Sequence, residues 1–245
     1  AVPRLDHEPG TRLACLRDLD DGHLQAIERL SERFRARAQR NGSVDGPHLE
    51  VKALCKQFAA RSSGWFGART QLVTAVDQVS FSLQRGECLV LVGESGSGKT
   101  TVSKLILRAL TATSGQIRLA RNDGAPLDVL ALEGRELFDY RRCVQMIFQD
   151  PYASLNPRLT VRRILSEPFE IHRLCTPAQR EEELADLMRL VGLDPRFLSR
   201  YPHSFSGGQR QRIGIARALA LRPELLVCDE PVSALDVSVQ AQILN

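Results

Sequence analysis

Eight residues constrain this chain more than any others: Gly93-Glu94-Ser95-Gly96-Ser97-Gly98-Lys99-Thr100, a G-x-x-x-x-G-K-[ST] pattern. An apolar run, Cys88-Leu89-Val90-Leu91-Val92, leads into it, and residues 102–110 behind it read as a helix. A continuous apolar run of this kind predicts a strand covered on both faces. Strand, glycine-rich turn and helix in that order aim backbone N–H groups at an anion lying on the helix's positive end. Lys99 then reaches the β- and γ-phosphates of a nucleotide, and the Thr100 hydroxyl takes one position on Mg²⁺. Further strands are expected at residues 49–54, 79–83, 143–148 and 225–228, so the fold reads as α/β with a largely parallel sheet.

The loop alone does not separate kinases, GTPases and ATPases. A second buried run, Leu225-Leu226-Val227-Cys228, ends in Asp229-Glu230. An aspartate there holds Mg²⁺ at the end of its strand, and Glu230 one residue on is placed to polarise a water for attack on the γ-phosphate. On its own, Asp229-Glu230-Pro231 reads better as a solvated turn; the upstream phosphate loop favours the first reading. Ser206-Gly207-Gly208-Gln209 heads a helix carrying Ile213, Ala216, Leu219 and Ala220. It is either a second anion-binding helix end or an ordinary N-cap with a Ser-x-x-Gln box.

The rest of the chain supplies context. The basic and acidic residues, 33 against 29, leave a net charge of +4, which gives no electrostatic footprint for nucleic acid. No stretch reaches the ~18 consecutive apolar residues of a membrane-spanning helix. The six cysteines contain no Cys-x-x-Cys pair, and their spacing fits a reduced protein, with Cys88 and Cys228 as small buried hydrophobes. Thr176-Pro177-Ala178-Gln179 is a capping box; Leu184, Leu187, Met188 and Val191 form the apolar stripe behind it, and Gly192 ends the helix. Residues 1–46 stand apart: one amphipathic helix built on Leu24, Ile27, Leu30 and Phe34, then a turn-rich linker up to Pro47.

Taken in order, residues 93–100, 206–209 and 225–230 resemble the nucleotide-binding domain of ATP-binding cassette (ABC) ATPases. Phe148-Gln149-Asp150-Pro151 is similar to that family's Q-loop and Ser233-Ala234-Leu235-Asp236 to its D-loop. The resemblance covers residues 48–245. It implies a P-loop NTPase fold: a RecA-like core, an additional antiparallel β part and an inserted helical subdomain at about 151–222. It implies ATP and Mg²⁺ as cofactors. Phe58 would stack on adenine, and Gly93, Glu94, Ser95, Gly96, Ser97, Gly98, Lys99, Thr100 and Thr101 would hold the phosphates. Thr100, Gln149 and Asp229 would hold the metal, with Glu230, Gln149 and Lys99 as the catalytic set. Ser206, Gly207, Gly208 and Gln209, with Asp236, would serve a nucleotide shared with a second nucleotide-binding domain facing the first.

The longer stretches at 149–157, 205–213 and 229–244 resemble the peptide-import ATPases (dipeptide, oligopeptide, glutathione and nickel importers). The inserted segment at residues 61–70, with Trp65-Phe66-Gly67, resembles their adenine-side loop, and an incidental apolar patch is its other reading. This resemblance implies ATP hydrolysis that drives solute import through separate permease subunits, docked near residues 152–164. A substrate-binding protein would act indirectly, no nucleic acid would be bound, and the chain would sit peripherally on the cytoplasmic face of the inner membrane. The alternative is a soluble ABC ATPase of DNA repair or the ribosome, which would bring basic or zinc-binding insertions. Pro9-Gly10-Thr11 with Cys15 resembles the tail of a preceding cassette. Residues 1–46 are then expected to be that tail and a linker helix, and 47–245 a second cassette. The histidine expected after the D-loop has no counterpart here, so a core cut short at its C-terminal side is expected.

Overall fold

The structure is a computed structural model that describes residues 46–64, 67–94, 96–121, 126–148 and 154–229, leaving out the side chains of 60–71. The amphipathic helix and Cys15 expected in the first 46 residues, and the segment after Asp229, lie outside the described residues.

Two strands open the fold, β1 (Leu49–Gly64) and β2 (Gly67–Leu83), paired antiparallel from Leu49↔Leu83 to Gly64↔Gly67. They are far longer than the alternating stretches at 49–54 and 79–83 imply. The inserted segment is the reason: Arg61 pairs with Thr70 and Ser63 with Ala68, so what reads as a loop continues the ladder. Trp65 and Phe66 lie outside the described residues. After helix α1 (Lys99–Ile106), β3 (Ser114–Leu119) pairs antiparallel with β1, and the short β4 (Leu127–Asp128) pairs with β3. Helix α2 (Gly134–Cys143) leads directly into β5 (Val144–Ile147). Helices α3 (Val161–His172), α4 (Pro177–Leu190) and α5 (Gly207–Leu219) follow, and β6 (Leu225–Cys228) closes the described chain. β5 and β6 run parallel, Val144 opposite Leu225 and Ile147 opposite Cys228. Among the described residues the larger sheet is thus antiparallel, in the order β2-β1-β3-β4, and the parallel part is this pair.

The expected strand at residues 88–92 is not formed. Val90 and Val92 are 64% and 79% exposed, and Cys88 and Cys228 are exposed rather than buried. A strand exists by virtue of its ladder, and no described strand lies in register beside this run. The helix after the phosphate loop also differs, starting at Lys99 and ending at Ile106 instead of spanning 102–110. Arg108 adopts a left-handed φ of 53°, and the N–H groups of Ala109 and Leu110 turn back to the Lys104 carbonyl at 2.9 and 3.1 Å.

Two apolar cores result. The first gathers Leu49, Val51, Leu54 and Ile117 of the antiparallel sheet with Leu105 of α1, Tyr140 of α2, Val144 and Leu225. The second gathers Val161, Leu165 and Phe169 of α3, Leu184, Leu187 and Met188 of α4, and Ile213 and Ala216 of α5. The stripe read in α4 is buried as expected, and Gly192, at φ 67°, follows its last turn. β5 bridges the two: Val144 packs in the first core and Ile147, three residues on, in the second.

Candidate functional site

The phosphate loop is closed around its own lysine. Lys99 Nζ donates to the carbonyls of Gly93 at 2.7 Å and Glu94 at 2.8 Å, and reaches Ser97 Oγ at 3.5 Å. Ser97 N–H donates to Glu94 O at 3.1 Å, which makes the loop a compact turn. The ammonium thus occupies the mouth of a ring of backbone that a phosphate group would share with it. Gly98 caps α1 with φ 94°, and a Cβ there would stand 2.2 Å from the Ala75 carbonyl oxygen of β2. The loop is therefore pressed onto the antiparallel sheet, and only glycine fits the contact. Thr101 lies in the first turn of α1 beside Thr100. Ser95 lies outside the described residues.

Across from the loop, the Thr100 hydroxyl stands 3.3 and 3.2 Å from Asp229 Oδ1 and Oδ2. These residues are 129 positions apart. They meet because α1 starts at the loop and Asp229 extends the parallel ladder past β6, its N–H donating to Ile147 O at 3.1 Å. A hydroxyl and a carboxylate side by side, next to a phosphate ring, form the hard-oxygen donor set that suits Mg²⁺. The same ladder contact sets the end of β5 beside Asp229. Gln149, Glu230 and Asp236 lie outside the described residues.

Phe58 is on β1 opposite Val73, two residues along β2 from the Ala75 that touches Gly98. Its ring is partly exposed, with the Lys56 ammonium 5.0 Å from its centroid. Ser206 caps α5: its hydroxyl accepts from Gln209 N–H at 3.3 Å, and Gln209 Oε1 accepts from Ser206 N–H at 3.0 Å. The N-cap reading of this segment is met, and the N–H groups of Gly207 and Gly208 stand at the same helix N-terminus. Phe205, just before the cap, is buried in the second core, whereas α1 packs in the first.

The family model described as ABC transporter matches residues 76–233. The chain belongs to the ABC transporter family. A Sinorhizobium fredii protein named as a probable peptide ABC transporter ATP-binding protein, y4tS, is 51% identical over 80% of this chain and 54% of its own length. The oligopeptide transport ATP-binding protein AppF of Bacillus subtilis is 52% identical over 80% of this chain and 58% of its own. The cassette thus spans a little over half the length of these curated relatives. Among solved structures, a dimeric ATP-binding cassette in a post-hydrolysis state with ADP and Pi superposes with a TM-score of 0.67 at 27% identity. That match covers 80% of this chain and 79% of the other.

The fold is that of a P-loop cassette, and it unites Lys99, Thr100 and Asp229 while the exposed Ser206 cap heads a helix packed in the other core. One residue at the site escapes the sequence reading, Ala75, which supplies the carbonyl against Gly98; for Gly93 and Glu94 what escapes it is that their carbonyls hold the lysine. Backbone atoms carry no residue-type signal, so only the three-dimensional approach reveals them. Among the described residues, no helix of the cassette is long and apolar enough to cross a membrane.

Proposed function

We propose that this cassette binds and hydrolyses MgATP and, through separate permease subunits, drives import of peptides or similar small solutes. The observation that carries the reading is the meeting of Thr100 with Asp229 at 3.2 Å beside the lysine-filled phosphate loop. ATP would displace the Lys99 ammonium from the Gly93 and Glu94 carbonyls onto its β- and γ-phosphates. Phe58 would cover the adenine. Mg²⁺, when bound, supplies charge neutralisation between the β- and γ-phosphates. Thr100, Asp229 and Gln149 would hold it, and Glu230 would accept a proton from the attacking water.

The Ser206, Gly207, Gly208 and Gln209 cap would cover the nucleotide of a second cassette, with Asp236 at the same interface. Support comes from its placement in the other core and from the dimeric form of the solved relative. Peptide import is supported by the names of the relatives at about half identity. On this reading the cassette sits peripherally on the cytoplasmic face of the inner membrane, served indirectly by a substrate-binding protein. Residues 1–46 are a preceding cassette's tail and linker, and residues 151–222 form the helical subdomain.

The test uses the full-length natural protein assembled with its permeases. Glu230→Gln should trap ATP and abolish turnover. Asp229→Asn should leave nucleotide binding in EDTA unchanged and remove its enhancement by Mg²⁺. Equal Mg²⁺ dependence in Asp229→Asn and the parent would defeat the metal assignment, and peptide uptake that persists in Glu230→Gln would defeat the coupling.

A further inference from the structure

Beyond Cys55, β1 loses its β3 neighbour, since that ladder ends at Cys55↔Ser114, and it continues with β2 alone. A two-stranded ribbon is a marginal structure, and the residues just before β3 brace this one. Thr113 N–H donates to the Cys55 carbonyl at 2.9 Å, and its hydroxyl accepts from Gln57 N–H at 2.9 Å. The Thr111 carbonyl accepts from Lys56 Nζ at 2.7 Å. Opposite them β2 carries a bulge: Lys56 pairs with Val76 and Gln57 with Thr74, so Ala75 has no partner in the ladder. Ala75 is also the residue whose carbonyl meets Gly98. The chain from Gly98 to Thr113, with α1 inside it, is therefore fastened at both ends to one short stretch of ribbon. Phe58 stands two residues beyond Lys56, on the same face of β1. It belongs to neither apolar core, and both it and Val73 opposite are exposed. Packing thus leaves the ring loose, and the half-buried Lys56, with its ammonium 5.0 Å from the ring centroid, is what fixes it.

We infer that Lys56 is a positioning residue for the nucleotide base: tied to Thr111 behind α1 and set against Phe58, it holds the aromatic ring in place relative to the phosphate loop before a nucleotide arrives. The inference rests on the proposed role of Phe58 as the platform for adenine. A ring that is already fixed costs less ordering when a base stacks on it, so the lysine contributes to affinity without touching the ligand. Its effect is confined to the base half of the nucleotide. Removing the ammonium leaves both Thr113 hydrogen bonds and the Ala75–Gly98 contact intact, so α1 and the phosphate loop keep their places while the ring is freed.

The experiment uses the full-length protein assembled with its permeases and compares Lys56→Met, Lys56→Arg, Phe58→Ala and the double variant of Lys56→Met with Phe58→Ala. Steady-state ATPase gives kcat and KM. Competition by inorganic tripolyphosphate, which carries the phosphates and no base, gives an inhibition constant for the phosphate loop alone. Phe58→Ala should raise KM for ATP about tenfold. Lys56→Met should raise it about fivefold, with kcat and the tripolyphosphate constant within about twofold of the parent. Lys56→Arg, whose guanidinium also donates and lies over aromatic faces, should restore most of the loss. Because the lysine acts through the ring, Lys56→Met should add less than about twofold once Phe58 is already alanine. A parental KM in Lys56→Met overturns the inference alone. So does an equal rise in the tripolyphosphate constant, full additivity of the two substitutions, or a loss that Lys56→Arg leaves unrepaired. A Phe58→Ala variant with parental KM overturns the adenine assignment in the proposed function, and this inference with it.

Discussion

At the scale of single residues, the site is governed by close approaches. Gly98 combines φ 94° with a β-position 2.2 Å from the Ala75 carbonyl oxygen, so a methyl group has neither a comfortable backbone nor room. Gly98→Ala is expected to cost more than about 2 kcal/mol and to abolish nucleotide binding, as thermal melts and fluorescent-nucleotide titration would show. His48 is a different kind of constraint. It is 4% exposed, and among the described residues neither ring nitrogen has a side-chain hydrogen-bond partner. Burial, then the nearby Arg85 charge, hold its pKa below the ordinary 6.5, while Glu224 pulls the other way. His172 is lowered too, by burial and then by Arg142, with Arg135 adding and Asp139 opposing. In both cases the unfolded chain takes up the proton first. Their contribution to stability is therefore complete above about pH 6.5 and declines as the pH falls below it. Melting temperatures measured between pH 7.5 and 5 should fall more steeply for the parent than for His48→Leu. Parallel slopes would show that the folded protein protonates His48 as readily as the unfolded chain does.

At the scale of elements, two helices begin with the same device for different ends. Thr176 with Gln179 on α4 and Ser206 with Gln209 on α5 are both complete capping boxes. Each should lose about 1 kcal/mol of stability on replacement of the cap by alanine. The functional outcomes should diverge. Thr176→Ala is expected to leave ATPase kcat nearly unchanged, whereas Ser206→Ala should lower it by at least about tenfold through the lost contact to a partner's nucleotide. Similar kcat values for the two variants would remove the special role of the Ser206 cap.

This pair also marks how far the sequence could be read. Caps, stripes and the glycine stop of α4 are local, so Thr176, Leu184, Met188 and Gly192 announce their places. The phosphate loop is legible for the same reason, since its eight residues are contiguous. The run at 88–92 misleads because its pattern records what should cover it, while strand formation depends on a neighbour that no local pattern supplies. The Thr100–Asp229 meeting can be anticipated only by knowing the fold. Gln211 and Arg217 look like the polar face of an amphipathic helix until the carbonyls of Phe148 and Ser154 are found to accept from them at 3.4 and 2.6 Å.

At the scale of the whole molecule, stability is divided between two cores that share little more than β5. The first surrounds the phosphate loop, with Leu105 of α1, Val144 and Leu225 inside it; the second is wholly helical apart from Ile147 and its flanking loops. A ligand that binds only the native phosphate loop stabilises whatever must unfold to destroy that loop, by about 2.7 kcal/mol at a hundredfold excess over Kd. It adds nothing to units that can open while the loop stays intact. Hydrogen exchange should therefore show MgATP slowing the amides of α1, β5 and β6 by the full linkage factor and leaving those of α4 near their unliganded rates. Helix α5 is the informative case, because its core is the second one and its hydrogen bonds reach both flanks of the Gln149 segment. Its amides should gain intermediate protection. Uniform protection of α1, α4 and α5 would instead mean that the two cores unfold as one, with β5 a rigid part of a single cooperative body.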